Sequence, residues 1–478
     1  MRIAYVCADP GIEVFGTKGA SVHIQEVVRE LRRRGHDVIV YALRRGKEIP
    51  TDLADLQVEE YPLEDTATTA QRERAQRRAS ARIAEQIRAH GMPDLIFERY
   101  SLFSSVLADL CGGDERAKTR SDSTAKPAGG VASGNGAPTA GGIPPERDVF
   151  KGVRPEGDVT PEGDVRTAGG IAPIGVLEVN APLIEEQRTH RELVDEDTAW
   201  ELLRQQCAAA QAVICVSDPV KQWVSTHTGS TRVHTVPNGV NVQRIRPQPE
   251  APGPAVVTFV GTLKPWHGVA DLLRAASVAK GPWRLRIIGN GPERDRLEHL
   301  ARQLHVDAEF HGAVSPADIP EHLAGTAIGV APYPAPRRTA DHYFSPLKVH
   351  EYLAAGLPVV ASAVGQLPDL LRGVGMLVPP SDPRSLAGAL DFLAINPQER
   401  ARLGRLARQR AERQHSWSAA VDRILRLAGL PEASAYLAES PAGGSANVVG
   451  PHASSPAGGS QSGGVSTIAD VNRVKGDA

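Results

Sequence analysis

The segment Val256-Val257-Thr258-Phe259-Val260, followed by Val269, Leu272, Leu273 and Ala276, decides the fold. A continuous run of apolar residues of this length predicts a strand that is buried on both faces. Apolar positions at i, i+3, i+4 and i+7 predict an amphipathic helix that can cover such a strand. The segment therefore predicts one strand–helix unit of a parallel sheet.

The same strand–helix pattern recurs on both sides of this segment, in two series that meet near residues 240–247. Near-continuous apolar strands that alternate with helices are typical of α/β folds with doubly wound parallel sheets. Ligands of such sheets bind at the carboxyl ends of the strands, so a cleft between two Rossmann-like domains is the expected site. The further predicted strands are residues 3–6, 38–40, 94–97, 175–179 and 212–216 in the first series, and 284–288, 327–331 and 358–361 in the second.

Two stretches break the pattern, because Gly, Pro, Ser and charged residues replace the apolar periodicity at residues 112–172 and 435–478. The run Pro155-Glu156-Gly157-Asp158-Val159 recurs at once from Pro161 to Val165. Such compositions bury too little apolar surface to offset the entropy of ordering the chain. We predict a disordered Gly/Pro-rich insertion and a disordered tail. The ordered domains are then residues 1–111 with 173–246, and residues 247–413.

Composition narrows the class of protein. The chain has 478 residues, of which 41% are hydrophobic and 23% are charged, so it can bury substantial cores. Lys and Arg number 54 against 56 Asp and Glu, a balance that argues against a nucleic-acid-binding protein. No apolar run reaches the roughly 18 residues of a transmembrane helix, and no signal peptide is evident. The four cysteines form no CxxC pair, so we expect neither a zinc site nor disulfides, and a soluble cytoplasmic protein.

The loop Gly16-Thr17-Lys18-Gly19-Ala20-Ser21 is the first candidate anion site. Gly16 and Gly19 would let the backbone approach a ligand, and the following helix start offers free N–H groups with a favourable dipole. A plain connector remains the alternative.

The segment Ser345-Pro346-Leu347-Lys348-Val349-His350-Glu351 is the second candidate. Ser345 as N-cap and Pro346 as first helical residue predict a helix start that favours anions, and Lys348 adds a full positive charge. Glu351 lies on the same helical face and suits the hydroxyls of a ribose. A capped surface helix with an ordinary Lys–Glu pair is the alternative.

Several segments in a fixed order carry a resemblance to a known family: the chain resembles the family-4 glycosyltransferases, which have the GT-B fold of two Rossmann-like domains. The resemblance covers nearly all of residues 1–111 and 173–430. Its segments are Val236-Pro237-Asn238-Gly239-Val240-Asn241, Gly261-Thr262-Leu263-Lys264-Pro265-Trp266-His267-Gly268, Ile288-Gly289-Asn290-Gly291-Pro292, Phe310-His311-Gly312, the Ser345 segment, Pro358-Val359-Val360 and Gly365-Gln366-Leu367-Pro368-Asp369.

The resemblance implies a nucleotide-diphosphate sugar held mainly by the second domain. Glu351 would accept hydrogen bonds from the ribose, and Gly16 and Gly19 would close on the diphosphate from the first domain. A last helix, residues 414–430, would cross back to the first domain. The diphosphate itself would be held by Lys348 and by the backbone near Phe344, Ser345 and Leu347.

The chain departs from the family pattern in the donor site. The family often has two glutamates eight residues apart, and Tyr343 stands where the first is expected. The usual Arg and Lys phosphate ligands are matched by Thr262 and His267, so His267 and nearby Lys264 are the candidate phosphate ligands.

A third departure lies in the first domain. Many members have a histidine after the strand matched here by residues 176–179, and this chain has Asn180 in that region. We therefore expect Asn180 to lie nearest the reacting sugar. Glu185, Glu186 and His190 follow and either contact an acceptor or form a solvated helix face.

The resemblance also implies retention of anomeric configuration without a metal or other cofactor, with Asn180, Lys348 and Glu351 as catalytic residues. The DxD-like run Asp195-Glu196-Asp197 is the alternative metal site, although we expect it to start a helix. The partners would be the donor and an unknown acceptor, whether glycan, cell-envelope or small molecule. Membrane contact would be at most peripheral, through the basic residues 72–88.

Other functions compete with glycosyl transfer. A nucleotide-sugar epimerase and a non-catalytic GT-B nucleotide-binding subunit would share the architecture. A Rossmann oxidoreductase is disfavoured, because the loop at Gly16 lacks GxGxxG spacing.

Overall fold

The computed structural model describes residues 1–112, 172–335 and 343–430. Apart from its two end residues, the insertion predicted to be disordered lies outside these ranges, as does the whole of the predicted tail. Within the described residues, two parallel sheets form, one from each series of strand–helix units.

The first sheet has seven strands in the order β3-β2-β1-β4-β5-β6-β7, and every neighbouring pair is parallel. The central strands are almost completely buried, as their apolar runs predict. The strands are β1 (Arg2–Cys7), β2 (Asp37–Ala42), β3 (Val58–Glu60), β4 (Leu95–Arg99), β5 (Ile174–Val179), β6 (Ala212–Cys215) and β7 (Val233–Thr235).

Helices connect these strands on both faces of the sheet, because parallel neighbours need crossover connections. They are α1 (Gly19–Arg33), α2 (Thr69–Ala89), α3 (Val106–Cys111), α4 (Leu183–His190), α5 (Glu196–Ala209) and α6 (Asp218–Thr228), with a 3₁₀ turn at Thr51–Leu53.

The second sheet has six parallel strands in the order β10-β9-β8-β11-β12-β13. The segment Val256 to Val260 lies in its central strand β8, with α7 after it as predicted. The strands are β8 (Ala255–Val260), β9 (Trp283–Ile288), β10 (Ala308–Gly312), β11 (Ile328–Ala331), β12 (Val359–Ser362) and β13 (Gly375–Val378).

The helices of the second half are α7 (Val269–Val278), α8 (Arg294–Gln303), α9 (Ile319–Leu323), α10 (Leu347–Ala354), α11 (Leu367–Leu371), α12 (Pro383–Ile395), α13 (Pro397–Gln414) and α14 (Trp417–Leu427), with a 3₁₀ turn at Pro265–His267. Among the described residues, no helix combines the length and the apolar character that crossing a bilayer requires.

The last helix, α14, packs on α1 of the first half. Trp417, Val421 and Ile424 share a buried cluster with Ile24 and Val28 of α1. Arg34, just beyond α1, binds Asp422 at 2.8 Å and reinforces this contact. The domain boundaries drawn from the sequence stay a prediction.

Each sheet is doubly wound, because its first strand lies in the interior of the sheet and later strands are added on both sides of it. In the first sheet β2 lies on one side of β1 and β4 on the other, and in the second sheet β9 and β11 lie on the two sides of β8. The prediction of two doubly wound parallel sheets is confirmed.

Loops that follow strands of the first sheet touch loops that follow strands of the second: Gln366 donates to the carbonyl of Val216 at 2.8 Å, and Ser217 donates to that of Tyr343 at 2.5 Å. The carboxyl edges of the two sheets therefore face each other, where α/β folds bind ligands.

Candidate active site

The helix start at the second candidate site differs from the prediction by one residue. Pro346 is the N-cap and α10 begins at Leu347, so the expectation of Ser345 as N-cap is wrong. The hydroxyl of Ser345 is used elsewhere: it accepts from the backbone N–H of Asn238 at 3.1 Å and lies 3.3 Å from Nε2 of His350. The first turn still carries backbone N–H groups that lack intrahelical acceptors.

Lys348, in this first turn, carries a buried charge that lacks a hydrogen-bond partner among the described residues. Its side chain is 8% exposed, and its Nζ has no hydrogen-bond partner among the described residues. The ammonium lies 4.2 Å from the centre of the Phe259 ring and 5.3 Å from that of Tyr333. Burial lowers the pKa of Lys348 to about 7, against the opposing field of Glu351. A buried cation without a partner is costly, and an anion would relieve that cost.

The loop after β8 approaches Lys348 because residue 261 is glycine. Its φ is 144°, and a Cβ there would lie 2.9 Å from Nζ of Lys348. Gly289 follows β9 with φ 143°, and a Cβ there would lie 1.9 Å from the carbonyl oxygen of Gly261. Because neither glycine has a side chain, only backbone atoms of the two loops approach the ammonium of Lys348.

Glu351 lies one turn further along α10 and stays partly exposed. Burial raises its pKa to about 7, Arg244 and Lys348 lower it, and Glu26 raises it. Arg244 lies 3.6 Å from the carboxylate of Glu26 on α1, so a charged group of the first half reaches this part of the site. A carboxylate suits the ribose hydroxyls that we expect Glu351 to bind.

The two predicted loop glycines have different surroundings. A Cβ on Gly19 would lie 3.3 Å from Cδ1 of Leu347, so the start of α1 touches the start of α10. A Cβ on Gly16 would instead lie 2.9 Å from the hydroxyl of Ser21, within its own loop and helix. The structure thus brings Gly19 to the predicted diphosphate site, whereas Gly16 contacts Ser21 and Glu13 of its own segment.

His267 and Lys264 lie in the loop after β8, and the protonation of His267 bears on its predicted role. Nδ1 of His267 contacts the carbonyl oxygen of Thr262, which only accepts, so Nδ1 carries the proton. Burial, Lys348 and Lys264 lower the pKa of His267 to about 3. The neutral ring therefore offers Nε2 as an acceptor for a hydroxyl, rather than as a donor to phosphate. Nζ of Lys264 lies 5.4 Å from the ring centre of Trp266, which is 55% exposed.

The residues before α10 close the other side of the site. The ring of Phe344 lies 4.7 Å from that of Tyr333, next to the ammonium of Lys348. The hydroxyl of Tyr343, which stands where the family has its first glutamate, donates to Glu186 of α4. Burial raises the pKa of Glu186, Arg191 lowers it and Asp9 raises it. Glu186 therefore meets Tyr343 of the other half instead of lying on a solvated face.

Asn180 follows β5 at the carboxyl edge of the first sheet. Its amide donates to Glu178 at 3.1 Å, and Glu178 also contacts His23 at 2.7 Å and Arg99 at 3.5 Å. Glu178 is 2% exposed. Burial raises its pKa, but His23, Arg99 and Asn180 outweigh burial and hold that pKa below the usual value.

Sequence reasoning missed His23, Arg99, Glu178 and the bridging residue Asn238. The sequence could have indicated two of them, because Glu178 interrupts one apolar strand and Arg99 ends another. Charged residues in strands buried on both faces call for a partner. No comparable signal marked His23, whose position in a helix resembles that of many buried histidines.

The DxD-like run starts a helix, as expected: Asp195 accepts from the backbone N–H of Thr198 at 3.3 Å and caps α5. Within residues 1–112, 172–335 and 343–430, no group of three or more His, Cys, Asp or Glu side chains is placed to hold a metal ion. The predicted reaction without a metal stays a prediction.

Comparisons with known proteins bear on the family and the fold of the chain. A family model described as Glycosyl transferases group 1 matches residues 254–396, and one described as Glycosyltransferase Family 4 matches residues 17–114 and 186–244. The D-inositol 3-phosphate glycosyltransferase of Rhodococcus erythropolis is 33% identical over 219 residues, which cover 41% of this chain and 48% of that protein. The match spans about half the length of this relative.

Two solved structures share the fold. Sucrose-phosphate synthase from Thermosynechococcus elongatus has a TM-score of 0.61 and 16% identity, over 92% of this chain and 100% of that one. Anabaena Alr3699/HepE in complex with UDP has a TM-score of 0.59 and 16% identity, over 89% of this chain and 99% of that one. The two facing sheets are thus arranged as in the GT-B fold.

Proposed function

Because the chain belongs to the family-4, group 1 glycosyltransferases, we propose that it transfers a sugar from a nucleotide-diphosphate sugar to the hydroxyl of an acceptor. The UDP and UDP-glucose held by the Anabaena protein support a donor of this class, and the name of the inositol phosphate relative supports glycosyl transfer. The acceptor would be a glycan, a cell-envelope component or a small molecule.

The observation that carries the proposal is the unpartnered ammonium of Lys348 at the first turn of α10. Negative charge grows on the diphosphate as the glycosyl bond breaks. A buried ammonium and first-turn N–H groups stabilise that charge more in the transition state than in the ground state. Gly261 and Gly19 give the diphosphate access to this charge from both halves.

The other residues have supporting roles in the proposed reaction. Glu351 accepts from the ribose hydroxyls, and neutral His267 accepts from a hydroxyl of the donor. Asn180 lies on the acceptor side, at the end of β5. We propose retention without a metal, with the leaving charge met by Lys348 and the helix N-terminus. Four free thiols fit a reducing, cytoplasmic compartment.

Thermal denaturation against UDP, GDP, ADP and TDP tests donor binding. One nucleotide at a hundredfold excess over its Kd should raise Tm by about 5 °C. Lys348→Met, which keeps the length of the side chain and removes the charge, should abolish that rise. Lys221→Met makes the same change at an exposed lysine and should leave the rise intact. Equal rises in all three proteins would refute the assigned site.

Chemistry is tested next with the sugar conjugates of the nucleotide that binds. Slow transfer to water should release the sugar, and its first-formed anomer by NMR should match the configuration in the donor. An excess of EDTA should leave the rate unchanged. Release of the opposite anomer would contradict retention, and conversion of the donor without release would indicate an epimerase.

A further inference from the structure

Both ring nitrogens of His23 face hydrogen-bond acceptors. The amide of Asn238 donates through Nδ2 to the carbonyl of Ser345 at 2.9 Å, which fixes its orientation. Its oxygen Oδ1 therefore faces Nδ1 of His23, at 2.9 Å. Because an amide oxygen only accepts, Nδ1 of His23 carries a proton.

The other ring nitrogen, Nε2, lies 2.7 Å from Oε1 of Glu178. The other oxygen of Glu178, Oε2, accepts from Asn180 at 3.1 Å and lies 3.5 Å from Arg99, and both contacts favour the ionised carboxylate. An ionised carboxylate has no proton to donate, so Nε2 of His23 also carries one. The ring, which is 3% exposed, thus lies between two acceptors from different parts of the chain.

These contacts form a continuous chain between the two sheets. Asn180 is bound to Glu178, Glu178 to His23, His23 to Asn238, and Asn238 to Ser345 just before α10. We propose that His23 is a positioning residue, held doubly protonated, that fixes Asn180 relative to the start of the diphosphate-binding helix. This inference rests on the proposed function for its purpose, but the charge state of the ring does not.

The second proton is what makes the bridge continuous. A neutral imidazole has one N–H, so either Glu178 or Asn238 would face a lone pair and the link would open on that side. Other groups next to His23 and Glu178 are the Trp417 ring, 4.8 Å away in an edge arrangement, and the side chains of Arg99, Tyr5 and Cys215. Of these only Arg99 is charged at neutral pH, and its positive charge stabilises the ionised form of Glu178.

The charge of the ring is measured by ¹⁵N NMR of protein labelled in its histidine side chains. The His23 signals are those lost in His23→Gln, and at pH 7 they should show a proton on both ring nitrogens. A ring with one proton at pH 7 would overturn the proposal. This readout needs no activity, so it judges the inference even where glycosyl transfer is not observed.

The positioning role is measured by hydrolysis of UDP-glucose, or of whichever donor the nucleotide panel selects. His23→Gln should lower kcat about 100-fold, the loss expected for misplaced reacting groups, while KM for the donor changes little. His36→Gln is the matched control, because it alters another buried histidine, just beyond the end of α1, and should leave kcat unchanged. Equal kcat in His23→Gln and the wild type would refute the role.

A pH profile separates positioning from mere structural support. Glu178→Gln removes the negative charge and leaves the buried ring near Arg99, so the ring should lose its second proton more readily than in the wild type. Its kcat should fall more steeply from pH 6 to pH 8 than that of the wild type, whose own profile includes Lys348 with its pKa of about 7. Profiles of the same shape would overturn the proposal. Should Glu178→Gln not fold, the NMR experiment on the wild type decides.

Discussion

The carboxyl edges of the two sheets both bury charge, but they do so in opposite ways. At the first sheet Glu178 is matched by His23, Arg99 and Asn180. At the second, the ammonium of Lys348 has aromatic rings around it and no hydrogen-bond partner among the described residues. A matched charge fixes its neighbours, whereas an unmatched one is stabilised only when a ligand arrives.

The difference indicates that the carboxyl edges of the two sheets have different tasks. The first edge is organised before substrate binds, which is what alignment of an acceptor requires. The second edge stays electrostatically incomplete, which leaves its binding energy available to the anionic donor that we propose. Substitutions that remove charge should therefore have opposite effects on stability at the two edges.

The largest effect is expected for Lys348→Met. Donor hydrolysis should slow at least about 100-fold, or about 3 kcal/mol of transition-state stabilisation. The unliganded protein should be at least as stable as the wild type, because a buried ammonium without a partner is replaced by an apolar chain. Urea denaturation together with donor hydrolysis measures both. A clear loss of stability would show that Lys348 is matched after all.

Glu178→Gln should act in the opposite direction and lower the free energy of unfolding by about 3 kcal/mol, since it leaves His23 and Arg99 without their counter-charge. Glu98→Gln is the matched control at the neighbouring strand β4. Burial raises the pKa of Glu98 to about 7, so its carboxyl is readily protonated, and Ser104 and the backbone of Leu107 bind it. Its substitution should cost less than about 1 kcal/mol. Urea denaturation measures both variants. Similar losses in the free energy of unfolding would contradict the view that Glu178 balances buried positive charge at the first edge.

The pH dependence of stability sharpens the same contrast. The folded pKa of Lys348 is about 7, below its ordinary value, so the unfolded chain binds more protons above pH 7. The contribution of Lys348 to stability should therefore rise with pH from about 7 to about 10, by about 1.4 kcal/mol per pH unit at most. The thiols of Cys7, Cys111 and Cys207 oppose it above about pH 8.5, because burial raises the pKa of each to about 12. Glu351, with its pKa raised to about 7, binds more protons when folded and makes stability fall as pH rises from about 4.5 to about 7. Urea titrations across pH should show that the wild type gains stability relative to Lys348→Met as pH rises from about 7 to about 10; a constant difference between the two proteins would contradict the assignment.

The smallest effect concerns contact between the edges. Ser217 caps α6 and also donates to the carbonyl of Tyr343, whereas Ser416 caps α14. Ser217→Ala should cost about 1 kcal/mol more than Ser416→Ala, which is the worth of the additional hydrogen bond. Urea denaturation of the two variants compares them directly. Equal losses would mean that the contact with Tyr343 adds nothing to stability.

The sequence allowed the central strands to be predicted, because strands buried on both faces have continuous apolar runs. The edge strands β3, β7, β10 and β13 were missed, since they are short and only partly buried. Helical spacing placed Lys348 and Glu351 on α10, but could not show that the rings of Phe259 and Tyr333 surround the ammonium. Glu178 and His23 are separated by 155 positions, so their contact follows from sheet topology and not from any local pattern. The assignment of site residues stays a prediction.

The packing of α14 on α1 has a consequence for synthesis on the ribosome. The core beneath Ile24 and Val28 includes Trp417 and Val421, which are translated only after the whole second sheet has been made. The first half of the nascent chain therefore carries an uncovered apolar surface for most of its elongation. Domains usually fold in the order in which they emerge. Here the half that emerges first is completed last, which gives chaperones a long interval in which to bind it.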